Sequence, residues 1–377
     1  MTFKFPELNY IRAKAVFKKE FKHILRDPFT LTMALLLPLL IVVILGYSIE
    51  FNIKEIKTAY TNHDKTIASR KLIETFGSSA YFKTFPVESP MEGYRDIISE
   101  RARAAIFIPP QFEKELRAGR TGNVQILLDG ADNSSISAIS NYLTTINLTA
   151  IFKILDIPPV IDTPVQFKAR YLFNPELNSK WFAIPGISAV IIAIVAIMLT
   201  ALTICREWEK GSMEMLLSTP LTSLEIIIGK ILPYAILSFA GFIIVFLAAR
   251  FIFSVPFVGN YLTLMLGTLL FILAYLAIGL YISIVTKQQQ VAVQYAMIVG
   301  MLPTSMLSGF IFPIEYMPNI YQWFSTIFPA RWYVEISRDQ FLKASNIEDL
   351  WLPLVILAVQ GIVATTACLF RFKRNLE

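Results

Sequence analysis

The pair Gly229-Lys230 is the nearest approach to a phosphate-binding loop in this 377-residue chain, and it does not qualify. A Walker A loop needs G-x-x-x-x-G-K-[ST], so that backbone N–H groups cradle phosphates and a hydroxyl reaches Mg2+. Here Ile231 follows the lysine, at the start of a long apolar run. His23 and His63 stand alone, and Cys205 and Cys368 sit near the ends of apolar runs, so neither metal-ligand spacing nor a disulfide framework is present. His63, Asp64, Glu92, Asp96, Glu113 and Glu115 are the only set resembling an acid–base constellation. Their spacing is unspecific, and a helix cap at Asp64 with a solvated face elsewhere accounts for them.

The elements around these residues belong to a membrane protein. Hydrophobic residues make up 55% of the chain and charged residues only 16%, too few to clothe a soluble core of this size. Six runs of about 20 residues, the length a hydrocarbon core of about 30 Å requires, fall at 29–49, 182–205, 224–253, 261–285, 292–312 and 350–370. The first is a retained span, because no small-residue cleavage site follows it. Pro38, Pro185, Pro233 and Pro303 lie inside these runs, where neighbouring helices can satisfy the freed carbonyls.

Lys4, Arg12, Lys14, Lys18, Lys19, Lys22 and Arg26 precede the first span, Arg206 and Lys210 follow the second, and Arg371, Lys373 and Arg374 follow the last. Both termini are therefore expected in the cytoplasm. The +6 formal charge is spent on orientation next to apolar runs, so no nucleic-acid partner is expected. Residues 1–28 read as a basic amphipathic helix at the inner interface. Tyr10, Ala13, Phe17, Phe21 and Ile24 recur at helical spacing, with Lys14, Lys18, Lys19 and Lys22 on the other side. A helix packed on another protein would show the same pattern.

Residues 50–181 form a separate polar stretch, expected outside the membrane. Strands over 57–61, 81–87, 104–108 and 124–128 alternate with helices over 65–76, 91–100, 111–117 and 134–154, and 164–173 is extended. That alternation predicts an α/β domain, with Asp64 and Pro90 at helix starts. Between the last two spans, 308–343 is too polar to cross yet rich in aromatics. It reads as a pair of short re-entrant helices on the outer side, or as an amphipathic loop packed on the outer domain. Ionisable groups near the spans are limited to Glu50 and Arg250 at outer ends and Glu225 and Lys230 at an inner end, where Lys230 can snorkel. An ion-coupled transporter and a channel with a charged ring are disfavoured. Uncharged polar groups remain as pathway candidates: Thr200, Thr203, Tyr275, Gln294, Ser305 and Ser308. Such groups more often bond helix to helix.

The loop 206–223, REWEKGSMEMLLSTPLTS, carries the most specific signal. Gly211 permits a turn, Met213, Leu216 and Leu217 share a helix face, and Thr219-Pro220 stops the helix. An apolar face flanked by Glu209 and Glu214 suits a helix entering a partner's groove, or one lying flat on the membrane. Arg206-Glu207, Gly211, Glu214, Leu216-Leu217 and Thr219-Pro220 resemble the signature of type-2 ABC transporter permeases, and the rest of the chain follows that family's plan. It looks like the bacterial subgroup assigned to drug or small-molecule efflux.

The resemblance implies an α-helical inner-membrane protein with six transmembrane helices, an N-terminal interfacial helix and an extracytoplasmic α/β domain. It makes residues 206–223, with Met213 among them, the coupling loop to an ABC ATPase subunit. That partner would bind ATP and Mg2+, while this chain holds no cofactor and performs no catalysis. It implies a homodimer, or a heterodimer with a similar permease, in contact with membrane lipids, and leaves room for an envelope partner outside. The uncharged spans suit an apolar or amphipathic cargo. A lipid or lipid-linked cargo, an ATP-driven machine that moves its outer domain without transport, and a membrane enzyme using the outer carboxylates are the alternatives.

Overall fold

A computed structural model describes residues 9–48, 56–79, 81–129, 133–154, 172–174 and 178–374. Lys4, Ile49, Glu50 and most of the extended stretch expected over 164–173 lie outside them. The chain divides into two compact units, Met1–Ile49 with Tyr171–Glu377, and Glu50–Arg170.

The first unit begins with α1 (Tyr10–Arg26), whose N-cap Asn9 accepts a hydrogen bond from the Ile11 N–H. Its C-terminal neighbour Asp27 caps the next helix, α2 (Pro28–Ser48), by accepting from the N–H groups of Phe29 and Thr30. α2 contains a π-helical turn at Thr32–Leu36.

The Glu50–Arg170 unit holds β1 (Ile56–Asn62), α3 (Ile67–Gly77), β2 (Phe82–Pro86), α4 (Pro90–Ile98), β3 (Ala104–Ile108), α5 (Phe112–Arg117), β4 (Gln125–Leu128) and α6 (Asn133–Ile154). The strand order is β2-β1-β3-β4. β1 runs parallel to both β2 and β3, and β4 is antiparallel to β3. β3 is buried along its whole length, as a central strand covered on both faces must be. The cap of α3 is Thr66, not Asp64. Asp64 instead accepts from the Thr66 hydroxyl and from the backbone N–H of Glu113, at the start of α5. Ser89 caps α4, with Pro90 in its first turn.

The first unit continues with α7 (Ser179–Glu209), α8 (Ser212–Leu217), α9 (Ser223–Phe251), α10 (Tyr261–Thr286), α11 (Gln289–Met306), α12 (Asn319–Ser325), α13 (Pro329–Leu342) and α14 (Trp351–Arg374). α7 is buried on nearly all sides by α2, α9, α10, α11 and α13. Apolar rows remain exposed on α9 (Leu232, Ile236, Ile243, Leu247) and α14 (Val355, Val359, Ile362). Among the described residues, five helices are long and apolar enough to cross a membrane: α2, α7, α9, α10 and α14. The expected fifth run, at 292–312, forms instead the 18-residue α11, which begins at Gln289 and ends before the polar turn at Ser308.

Close helix crossings explain the tight core. The Thr200 hydroxyl donates to the Leu276 carbonyl at 2.8 Å, and the Ser283 hydroxyl accepts from the N–H groups of Ile204 and Cys205 at 3.0 Å each. A Cβ on Gly279 would meet the Ile197 carbonyl oxygen at 2.3 Å, so glycine alone permits α7 and α10 to approach this closely. Gly279→Val is therefore expected to destabilise the first unit by about 1–3 kcal/mol, the range for overpacking. Thermal unfolding in detergent checks this: an unchanged midpoint would mean the crossing is looser than described.

Candidate functional site

At the end of α7 a helix built for the membrane meets charge. Lys230, in the second turn of α9, is 1% exposed and does not snorkel. An ammonium so buried requires counter-charges, and α1 and α7 supply them. The Lys230 Nζ lies 3.0 Å from Glu20 Oε1 and 3.0 Å from Glu207 Oε2. Lys19 closes the cluster, with its Nζ 3.0 Å from Glu207 Oε1 and 3.9 Å from Glu20. Glu20 and Glu207 are themselves 5% and 9% exposed. Beside this cluster Arg206 pairs with Asp27 at 3.1 Å and approaches His23 Nε2 at 3.3 Å.

This arrangement fixes α1 differently from the simple amphipathic reading. Its buried face is Ala13, Val16, Glu20 and Ile24, packed on α9, where Gly229 leaves room for the Val16 side chain. Phe17 and Phe21 stack at 5.7 Å on a half-exposed flank, with Tyr10 exposed beyond them. Lys14, Lys18 and Lys22 are exposed on the flank beyond the aromatics. Glu225 also serves α1: it accepts from the Asn9 N–H at 2.9 Å while forming a capping box with Thr222. Arg12 reaches the Pro220 carbonyl at 2.6 Å.

Arg206 and Glu207 belong to the last turns of α7 rather than to a loop. Gly211 then takes a left-handed conformation (φ +71°), turns the chain and starts α8. Met213 is buried and Leu216 is half-buried against the chain's own core. Glu214, Met215 and Ser218 face outward, Met215 being 75% exposed. The Met213–Leu216 side of α8 is thus turned towards this chain's own core, and Glu214, Met215 and Ser218 are on its outward side. The side chain of Leu217 lies outside the described residues. Thr219 Oγ1 donates to the Leu216 carbonyl at 2.5 Å, and the helix ends before Pro220. Glu209 ties this region to α11 through the Gln289 N–H at 2.7 Å, and Lys287 lies 4.4 Å over the Trp208 ring.

The pathway candidates do not converge. Thr200 and Tyr275 are buried in helix contacts, Tyr275 at 2.7 Å from the Thr304 hydroxyl. Thr203 donates to the Thr200 carbonyl, and Ser308 is buried where it accepts the Phe310 N–H. Gln294 is exposed on α11, and Ser305 continues the same row, its hydroxyl donating to the Met301 carbonyl. Over 308–343 the structure has two short helices, α12 and α13, with Arg338 of α13 donating to the carbonyls of Gly309 and Phe310. Glu20 went unrecognised as a site residue among its basic neighbours. Its signal was present: it shares the three-and-four spacing of Ala13, Val16 and Ile24, the face that is buried.

Apolar spans surround α7, and a left-handed turn and a short helix follow it. A match to the ABC-2 family transporter proteins extends over residues 28–370, and the chain belongs to that family. It is similar to the "Probable multidrug ABC transporter permease YbhS" of Escherichia coli K12, 30% identical over 99% of both chains. It is also similar to "Probable multidrug ABC transporter permease YbhR" of the same organism, 29% identical over 97% of this chain and 99% of that one. The "Inner membrane transport permease YhhJ" is 29% identical over 72% of this chain and 73% of its own length. The chain is an ABC transporter permease, a multi-pass membrane protein of a family that works with an ABC ATPase.

Two outcomes test the cluster. Lys230→Met leaves two buried carboxylates facing only the flexible Lys19, and is expected to cost about 3–5 kcal/mol, the usual loss on breaking a buried pair; denaturant unfolding in detergent measures it. The second concerns pH. Burial opposes the Lys19 charge, but the hydrogen bond and attraction of Glu207, with Glu20, outweigh it and raise its pKa above 10.5. Burial likewise opposes the Asp27 charge, but the Thr30 hydroxyl and N–H and then Arg206 outweigh it and lower its pKa below 3.8. The Lys19 contribution is complete below its ordinary value and is lost as pH rises through the raised one. The Asp27 contribution is complete above its ordinary value and is lost as pH falls through the depressed one. A spin label at Lys22→Cys, on the exposed flank of α1, is therefore expected to keep one mobility between pH 3.8 and 10.5 and to become more mobile only outside that window.

Proposed function

We propose that this chain is the membrane-spanning half of an ATP-driven ABC exporter that moves an apolar or amphipathic small molecule out of the cytoplasm or inner leaflet. Drugs are the cargo class named for its relatives YbhS and YbhR. The observation that carries the reading is α8: a short helix set by Gly211, with Glu214 and Met215 exposed, braced from behind by Met213 and by the Lys19–Glu20–Glu207–Lys230 cluster. A helix so presented suits docking on an ATPase, and the brace passes its displacement to α7, α9 and α1. ATP and Mg2+ are held by that partner, which hydrolyses the nucleotide.

In this reading α11 is the sixth membrane-crossing helix. Its 18 residues rise about 27 Å, close to the hydrocarbon thickness. Six crossings place both termini in the cytoplasm of a bacterial inner membrane and the α/β unit outside, where an envelope partner can reach it. The outward row of α11, namely Gln290, Gln294, Met297, Met301 and Ser305, recurs at spacings of four and three. A row so mixed in polarity is suited to a second permease copy, or a similar chain, with the cargo path between them. Thr200 and Tyr275 then act as interhelical bonds that hold the wall of that path, while Thr203 and Ser308 bond within their own segments.

Co-purification of the tagged chain from its own membranes in mild detergent tests the reading. Wild type is expected to bring down an ATP-hydrolysing subunit. Glu214→Arg and Met215→Asp are expected to elute as folded permease with that activity reduced about tenfold or more, the effect of about 1.4 kcal/mol at an interface. No ATPase with the wild type, or full retention by both variants, would overturn it.

A further inference from the structure

The inner end of the first unit contains a cavity of about 350 Å3, bounded by α1, α2, α7 and α9 with Val293 of α11 at its edge. That lies within the range of small-molecule sites. One end is apolar, lined by Met33, Val195, Met198 and Leu199; the other is the charge cluster of Lys19, Glu20, Glu207 and Lys230. A cavity with this division takes an amphipathic molecule.

The charges define its head group. Two buried carboxylates face two ammonium groups, and the two are not equivalent. Lys230 is 1% exposed and lies 3.0 Å from both carboxylates, so it cannot leave. Lys19 holds Glu207 Oε1 from a side chain that is 59% exposed, and it can swing into water. Without it the cluster carries one excess negative charge. Glu207 Oε2 is met only by Lys230 Nζ, 3.0 Å away, which leaves a lone-pair direction of that oxygen open. Arg206 is engaged by Asp27 and does not compensate, and Lys210 stays exposed at the opening. The Lys19 ammonium thus occupies the place an incoming ammonium would take, and one carboxylate oxygen is left to receive a further N–H.

We propose that this cavity binds amphipathic molecules carrying one protonated amine. The amine displaces the Lys19 ammonium at Glu207, and the apolar body lies along Met33, Met198 and Leu199. Calling the site the cargo's point of entry rests on the exporter reading; the binding itself does not.

The experiment uses the full permease, purified without ATPase, and monodansylcadaverine, an apolar fluorophore on a primary alkylamine that is protonated at pH 7. Its N-acetyl derivative has the same body without the charge. The amine is expected to bind about tenfold or more tightly than the acetylated compound, the effect of one charge-assisted hydrogen bond. Met198→Trp, which fills the apolar end, should weaken amine binding by a similar factor. Lys19→Ala should tighten it, because the competing ammonium is gone. In wild type, a saturating concentration of the N,N-dimethyl derivative of the amine, which is protonated at pH 7 but forms no stable product with acylating reagents, should also increase the labelling of Lys19 by an amine-reactive reagent, a readout that needs no variant to fold. Equal binding of the two compounds, tighter or unchanged binding in Met198→Trp, weaker binding in Lys19→Ala, or Lys19 labelling that does not rise would each overturn the proposal. Because no ATPase is present, failure here and failure to co-purify an ATPase are separate results.

Discussion

A lysine in the second turn of an apolar helix forces much of the inner architecture. Lys230 cannot reach water, so its charge must be met inside the protein. The counter-charges come from residues far apart in sequence, Glu20 and Glu207. Satisfying one ammonium therefore requires α1 to fold back on α9 and α7 to end at a defined height beside both. Gly229, the neighbour of Lys230, leaves the room for Val16 that brings α1 close enough. A buried ion cluster of this kind adds little net stability over an apolar replacement, because desolvation offsets attraction. What it does add is register. Sliding α1 by one turn would leave Lys230 facing Val16 or Ile24 in place of Glu20.

That register explains what was legible in the sequence and what was not. The helices over 179–209, 223–251, 261–286 and 351–374 follow from apolar length alone, and the structure places them where the runs lie. The strands at 56–62 and 104–108 follow from β-branched and apolar runs bounded by turns. In α1, periodicity located the helix but not its facing. An aromatic stripe at Tyr10, Phe17 and Phe21 and a buried stripe at Ala13, Val16, Glu20 and Ile24 overlap within one helix, and hydrophobicity alone favours the aromatics. The deciding partner, Lys230, lies 210 residues away from Glu20, beyond any local pattern. Asp64 shows the same limit on a smaller scale: its position suited a cap, but its oxygen serves the start of α5 instead. At the expected fifth span, the apolar run at 292–312 marks the helix but not its bounds: α11 begins earlier, at Gln289, and ends at Met306, with its Ala292, Ala296 and Gly300 face buried against α7.

The core around α7 is joined by contacts that resist sliding. Thr200 to Leu276, Ser283 to Ile204 and Cys205, and the bare backbone of Gly279 hold α7 and α10 at one depth. The π-helical turn of α2 brings the Ala34 carbonyl against Gly241 of α9, where a Cβ would lie 2.4 Å from the oxygen. Interfaces of this kind have few intermediate positions, because a small displacement along the axis creates either a clash or an unpaired polar group. A force applied at one end is therefore carried by the helices as bodies rather than dissipated between them.

In the proposed exporter, α8 is the place where such a force would enter. Its N-terminal joint is Gly211, a left-handed glycine with open space where a side chain would stand, the residue type with the widest backbone freedom. Its C-terminal joint is different: Thr222 and Glu225 form a capping box, and Glu225 also holds the N-terminus of α1. Motion of α8 is thus freer towards α7 and stiffer towards α9 and α1. Yet the cluster recouples α7 to that stiff side, since Glu207 is bound by both Lys19 and Lys230. The hinge lies at Gly211 and the brace one turn before it, so a push on α8 reaches α1, α7 and α9 as one body through the same charges that line the inner cavity. A ligand that displaced Lys19 from Glu207 would remove one of the two links between α1 and α7 made there, while leaving Asp27 and Arg206 joined. Occupancy of the cavity and stiffness of the brace are then two properties of one set of ion pairs.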